Sequence, residues 1–243
     1  MSPSSKALVV ESLQVGYGDL TVVWDASLAV DRGEVCVLRG RNGAGKTTLM
    51  SGIAGLLPAT SGSVHLDGRS VSSWPAHKRA KHGIGLVQAG KRVFRELSVR
   101  DNLSLGAMTR ASGRANVNAA ILSMYDRFPL LGERCSDRAG SLSGGQQQLL
   151  AIAQALAAQP KVLLLDEPSS GLSPRAIGEV RDVIASVKDD GLAVLLVEEL
   201  ADDVYAELAD TVLMLDQGRV VHSGAAGSLS RDDIMAALDL AQP

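Results

Sequence analysis

Four short apolar runs stand out along the chain: Val35–Leu38, Val162–Leu165, Ala193–Val197 and Val212–Leu215. Each is rich in valine and leucine and is bounded by polar or turn residues, the pattern of strands buried on both faces of a parallel sheet. Between the second and third, "SPRAIGEVRDVIASVKDD" repeats Ile177, Val180, Ile184 and Val187 at helical spacing. Ser173 stands there as an N-cap and Pro174 at the first helical position. Strands alternating with helices predict an α/β sheet with covered faces. The early stretch "ALVVESLQVGYGDLTVVWDASLAV" alternates and carries turn residues instead, which predicts antiparallel strands. From about Ala89 to Pro160 there is no comparable valine-rich run, and "NVNAAILSMYDRF" places Val117, Ala120, Ile121, Met124 and Phe128 on one helical face. The reading is one domain over 1–243, with a helical subdomain at 89–160 inserted into an α/β core formed by 1–88 and 161–243. The apolar stripe itself implies core packing and nothing more.

Composition narrows the function classes. A net charge of −3 offers no basic footprint for nucleic acid. Cys36 and Cys135 lie far apart, so no disulfide framework is expected, and a reducing cytosol fits. No stretch approaches the roughly 18 consecutive apolar residues of a membrane span, and "MSPSSKALVVESL" lacks the apolar core of a signal peptide. Any membrane role is therefore expected to run through a partner.

Chemistry enters with "GRNGAGKTT", Gly40 to Thr48, which follows the apolar run and opens a helix-like "TLMSGIAGLL". It fits G-x-x-x-x-G-K-[ST] in strand–loop–helix context. Gly43 and Gly45 let backbone N–H groups turn inward around phosphate oxygens, at a helix start that favours negative charge. Lys46 would reach the β- and γ-phosphates and the Thr47 hydroxyl would ligate Mg²⁺. Gly40, Asn42, Ala44 and Thr48 complete the candidate contacts to ATP. In "KVLLLDEP", the apolar residues would present Asp166 at a strand end, where it can hold Mg²⁺ through water. Glu167 is then placed to polarise the attacking water. In "SLSGGQQQLLAIAQALA", Ser143 caps a helix whose first N–H groups, at Gly144, Gly145 and Gln146, face an anion.

In that order the three motifs resemble the nucleotide-binding domain of an ABC transporter, over nearly the whole chain. The resemblance implies a P-loop NTPase core with an antiparallel β subdomain and an inserted helical subdomain. "GYGDL" resembles the family's aromatic adenine platform, which makes Tyr17 a stacking candidate. "SSGLSP" resembles the loop after the catalytic carboxylate, with Ser173 where aspartate is often found. Two such domains pair head to tail in this family, so Ser143–Gln146 of one chain would cap the γ-phosphate held by Lys46 of a second ATPase subunit. Membrane-spanning subunits would convert closure into transport, with this chain on the cytoplasmic face of the cell membrane. "GKRVFRELSVRDNLSLGA", "RFPLLGER" and the "VE" closing the third run are similar to importers of branched-chain amino acids and related amides. Val93, Phe94 and Leu97 are the candidate contacts for a cytoplasmic helix of a membrane subunit.

Two places depart from the family pattern. A V-x-Q hinge is usual, but "GLVQAGKRVF" puts Gln88 directly after Val87. Gln88 reaches Mg²⁺ only if the turn shifts by one residue; otherwise it is an exposed turn side chain. The third apolar run ends "LLVEEL", with Glu199 where the family often has a histidine, or in the branched-chain group a glutamine, at the γ-phosphate. Taken alone, two adjacent glutamates could be strand-end charges, metal ligands or reaction-centre groups. Neighbours on a strand point to opposite faces, which argues against a shared metal. Strand-end solvation is the expectation for Glu198, and an active-centre place for Glu199. Of the histidines, none lies nearby; "WPAHKRAKH" reads as a solvated basic helix face, and His222 as an exposed strand residue. The competing function is an ATP-dependent dimerising clamp, or degenerate-site subunit, with little hydrolysis of its own. A DNA-repair ATPase would need a long coiled-coil insertion for which there is no room, and translation-associated relatives carry two cassettes per chain.

Overall fold

The computed structural model describes residues 6–90, 93–199 and 204–227. In chain order these form β1 (Lys6–Tyr17), β2 (Leu20–Asp31), β3 (Val35–Gly40), α1 (Lys46–Ala54), β4 (Ala59–Leu66), β5 (Arg69–Ser70), α2 (Ala76–His82) and β6 (Ile84–Val87). There follow α3 (Val99–Ala107), α4 (Arg114–Arg127), α5 (Pro129–Glu133), α6 (Gly144–Ala157), β7 (Val162–Asp166), α7 (Pro174–Asp189), β8 (Ala193–Glu199), β9 (Thr211–Asp216) and β10 (Arg219–Ala225).

The four valine-rich runs become β3, β7, β8 and β9, and all lie in one six-stranded sheet of order β10-β9-β3-β8-β7-β6. The pairs β9–β3, β3–β8, β8–β7 and β7–β6 are parallel, and only β10 is antiparallel. The alternating N-terminal stretch forms the antiparallel sheet β2-β1-β4-β5. β6 was not among the expected strands. It has only four residues and includes Gly85, against which Pro160 packs so closely that a Cβ would lie 3.1 Å away.

Alternation along the central strands sorts the core into two layers. Val37, Leu163, Leu165, Val194 and Leu196 face α3, α4, α6 and α7. Leu38, Val162, Leu164, Leu195, Val197 and Leu213 face α1 and the antiparallel sheet. This period-two split is what a strand covered on both faces requires. The α4 face expected from spacing is buried at Ala120, Ile121, Met124 and Phe128, with Val117 packed beside it. On α7, Ser173 Oγ accepts from Ala176 N and Pro174 sits in the first turn, as the N-terminal signals imply. Ile177 departs from the expected stripe: it is half-buried, and Ala176 takes the buried place at the start of the helix. The stretch "WPAHKRAKH" is also not uniformly solvated. Arg79 is buried and donates to the carbonyls of Gly52, Ile53, Ser72 and Trp74, tying α1 to α2. No helix among the described residues is long and apolar enough to cross a membrane.

Candidate functional site

The loop between β3 and α1 turns through Gly43 at φ 82° and Gly45 at φ 103°, conformations that side chains rarely tolerate. Gly45 is the N-cap of α1, so the helix begins without a side-chain cap and its first N–H groups face out from the loop. Lys46 is buried and folds back on the loop, its Nζ 2.9 Å from Gly40 O and 3.2 Å from Arg41 O. Those carbonyls are neutral acceptors, weaker partners for an ammonium than phosphate oxygens would be. Thr47 lies exposed on the first turn and its Oγ1 donates to Asp166 Oδ1 at 3.3 Å. The phosphate loop and the end of β7, 119 residues apart, are thus joined by side chains. Thr48 is buried, and its Oγ1 lies 3.5 Å from the hydroxyl of Tyr17, whose ring is otherwise exposed beside the loop.

Asp166 is 3 % exposed. Burial pushes its carboxyl above the usual aspartate range, against the opposing pull of the Thr47 hydrogen bond and the Lys46 charge. Glu167 follows with φ 47°, a left-handed backbone that costs a non-glycine residue on the order of 1–3 kcal/mol. Its amide donates to Val197 O on β8 at 3.0 Å, which holds that conformation in place.

The glutamate pair separates as alternation requires, but Glu198 departs from expectation. Glu199 is half-buried at the end of β8, on the side of Val197 and Leu195 and so on the same sheet face as α1. Its side chain makes no hydrogen bond or ion pair with another described residue. It lines a cavity of about 250 Å³ together with Glu167, Ser169 and Glu198. Glu198 is not solvated: it is 2 % exposed and accepts from Ser169 Oγ at 2.9 and 3.0 Å. The expectation failed because Ser169, on the loop after Glu167, covers the strand end, a packing that strand spacing does not report. Tyr205 is buried near it; burial first, and then the Glu198 charge, weaken the acidity of its phenol.

Gln88 follows Val87, whose register partner is Leu165, so it stands one strand from Asp166. Its side chain lines a groove of about 420 Å³ with Leu86, His77, Leu105, Ala151 and Gln154, and makes no hydrogen bond to Thr47 or Asp166. The structure therefore does not join Gln88 to the Lys46–Thr47–Asp166 group. Phe94 and Leu97 are exposed, Val93 packs against the helical core, and Lys91 and Arg92 lie outside the described residues.

α6 begins with a full capping box: Gln146 N donates to Ser143 Oγ, and Ser143 N donates to Gln146 Oε1 at 3.0 Å. Gly144 is exposed at this start, and Gly145 is half-buried against the Ala176 side chain of α7. Arg134, not anticipated from the sequence, also donates to Gln146 Oε1 at 3.1 Å. α6 packs on the Leu165 and Leu196 face, whereas α1 packs on the Leu164 and Leu195 face. Within one chain, α1 and α6 therefore lie on opposite sides of the sheet.

A family model described as "ABC transporter" matches residues 23–170. The chain is 36 % identical, over 93 % of its length and 97 % of the relative's, to the high-affinity branched-chain amino acid transport ATP-binding protein BraG of Pseudomonas aeruginosa. It is 34 % identical to the lipopolysaccharide export system ATP-binding protein LptB of Escherichia coli, covering 93 % of each. Among solved structures, an ATP-binding subunit of an ABC transporter superposes with TM-score 0.81 at 27 % identity, covering 96 % of this chain and 99 % of that one.

Proposed function

The chain belongs to the ABC transporter family, and from that premise we propose that it is the ATP-hydrolysing subunit of a membrane importer for branched-chain or related amino acids. The observation that carries the reading is the side-chain link from the phosphate loop to Asp166 through Thr47, with Glu167 pinned one residue further on. Phosphate entering the loop gives Lys46 Nζ charged oxygens in exchange for the Gly40 and Arg41 carbonyls. Tyr17, exposed beside the loop, offers its ring to the adenine. The remaining loop contacts come from the backbone between Gly40 and Thr48.

Thr47 and Asp166 suit Mg²⁺. Both offer oxygen, and the buried Asp166 charge gains from a nearby cation. Among the described residues no group of three or more His, Cys, Asp or Glu could hold a metal, and Mg²⁺ binds through few protein ligands and keeps its water. When bound, the ion neutralises charge on the β- and γ-phosphate oxygens. Glu167 orients and polarises the attacking water, and its fixed backbone keeps that carboxylate from wandering. Glu199 faces the γ-phosphate end from the α1 side of the sheet.

With α1 and α6 on opposite sides of the sheet, a second ATPase subunit paired head to tail supplies the Ser143–Gln146 start. The groove lined by Gln88, Leu105 and Ala151, with exposed Phe94 and Leu97 nearby in sequence, is the proposed seat for a cytoplasmic helix of a membrane subunit. That partnership puts the chain on the cytoplasmic face of the membrane. The similarity to BraG and the "RFPLLGER" and "VE" stretches support an amino-acid importer, while the similarity to LptB makes cargo a property to be measured on the assembled transporter. In the decisive experiment, ATP affinity and turnover are compared between wild type and Lys46→Ala. Both are expected to be lost with the thermal unfolding profile retained; unchanged affinity and turnover would overturn the assignment.

A further inference from the structure

Glu198 has no part in the chemistry just described, yet it is among the most completely buried charged side chains of the described residues. A carboxylate removed from water is costly unless it is hydrogen-bonded. Here the Ser169 hydroxyl shares its proton between both carboxylate oxygens, at 2.9 and 3.0 Å, and Ser169 is itself 6 % exposed. The two ends of this bond differ in rigidity. Glu198 sits on β8, which is paired on both sides by β3 and β7, in register with buried Arg39. Ser169 sits on the irregular segment between β7 and α7, two residues after Glu167.

That segment starts from a strained point. Glu167 has φ 47°, and Gly171 turns again at φ 63°. Such a conformation persists only where its surroundings over-determine it. Among the bonds that hold it are Glu167 N to Val197 O at 3.0 Å, Ser170 N to Glu167 O at 3.2 Å, Leu172 N to Ser169 O at 3.1 Å, and the Ser169–Glu198 bond. The last is made by side chains, and it fixes the segment to the same strand that carries Glu199.

We propose that Glu198 is a positioning residue that holds Glu167 in place by anchoring Ser169. This rests on the reading of Glu167 as the group that polarises water. The bond ties Ser169 to β8 and not to the phosphate loop, so it is expected to act on turnover and to leave nucleotide binding alone. Displacement of a reacting group by a fraction of its contact distance is enough to slow a reaction severely.

The test compares steady-state Mg-ATPase kinetics, ATP affinity and thermal unfolding for the full chain and five variants. Ser169→Ala is expected to lower kcat at least tenfold while ATP affinity stays within twofold. Ser169→Thr, which keeps a hydroxyl, and Glu198→Gln, which keeps an acceptor, are expected to retain most of kcat. The double variant Ser169→Ala with Glu198→Gln is expected to be no slower than Ser169→Ala alone. An unchanged kcat in Ser169→Ala overturns the proposal, as does a loss that follows weakened ATP binding or lowered thermal stability. Independent, multiplicative losses in the double variant also overturn it. Glu167→Gln is the fifth variant. If it turns over like wild type, the role given to Glu167 fails, whatever Ser169→Ala shows.

Discussion

Asp166 holds a charge in a place that disfavours it. Burial raises its pKa on folding, and neither the Thr47 hydrogen bond nor the Lys46 charge fully offsets that. A carboxyl whose pKa rises on folding makes the folded state bind more protons, so stability falls as pH climbs from the unfolded value through the folded one. The charged side chain is therefore a net cost at neutral pH, and the cost vanishes below the ordinary aspartate range. Asp166→Asn keeps the acceptor for Thr47 and removes the charge. In nucleotide-free protein at neutral pH it should raise Tm. The gain should disappear in acid, and Mg-dependent turnover should be lost. Thermal unfolding followed across pH checks this, and a lower Tm at neutral pH would show that the charge is already compensated. At this scale the sequence disclosed what backbone geometry imposes: Gly43, Gly45, Lys46 and Thr47 are spelled out because phosphate can be cradled in few ways. Ser169–Glu198 was hidden, since it joins residues 29 apart that belong to no shared motif. Arg79 was hidden for the same reason, a buried clamp inside a run that reads as solvated charge.

Elements were legible where a single period dominated. Valine-rich runs gave the parallel strands, alternation gave the antiparallel sheet, and Ser143 and Ser173 marked their helix starts. What failed was either too short to show a period, as in β6, or decided by a neighbour. Ile177 lost its place in the buried stripe because α7 begins against α6, where a Cβ on Gly145 would lie 2.5 Å from that of Ala176. Close approach also governs α3 against α6, the pair that builds the helical layer. A Cβ at Gly106 would stand 2.0 Å from the carbonyl oxygen of Gln154, a backbone atom that cannot swing aside. Gly106→Ala should then push the two helices apart at a cost of about 1–3 kcal/mol, although alanine favours helix on propensity alone. Chemical denaturation gives the answer: a neutral or stabilising result would mean that α3 shifts freely on α6. The same substitution should disturb the groove that Leu105 and Gly106 line with Gln88, and so should weaken any partner seated there.

The whole molecule is divided by its central sheet, with α1 on one face and α6 on the other. In the proposed pair each site mixes residues from two subunits. Differences between the subunits then become differences between the sites, and Glu199 is the clearest one carried by this chain. Its side chain lies on the α1 face with no described partner, where the family resemblance leads one to expect histidine or glutamine. A carboxylate near a γ-phosphate oxygen meets like charge, and two unit charges about 4 Å apart repel by about 4 kcal/mol at an effective dielectric near 20. Lys46, Mg²⁺ and the partner's helix start would offset part of this. The remainder should slow the site built on this chain's phosphate loop and leave most turnover to the partner's site, which borrows Ser143–Gln146. Relief of each 1.4 kcal/mol at the transition state is worth roughly tenfold in rate. Glu199→Gln and Glu199→His should therefore raise ATPase activity of the reconstituted assembly, more so when the partner's own site is silenced. A collapse of activity with both would show that Glu199 is a working catalytic group and remove the repulsion argument. No change with either would return Glu199 to the role of a strand-end charge, and the asymmetry of the pair would need another source.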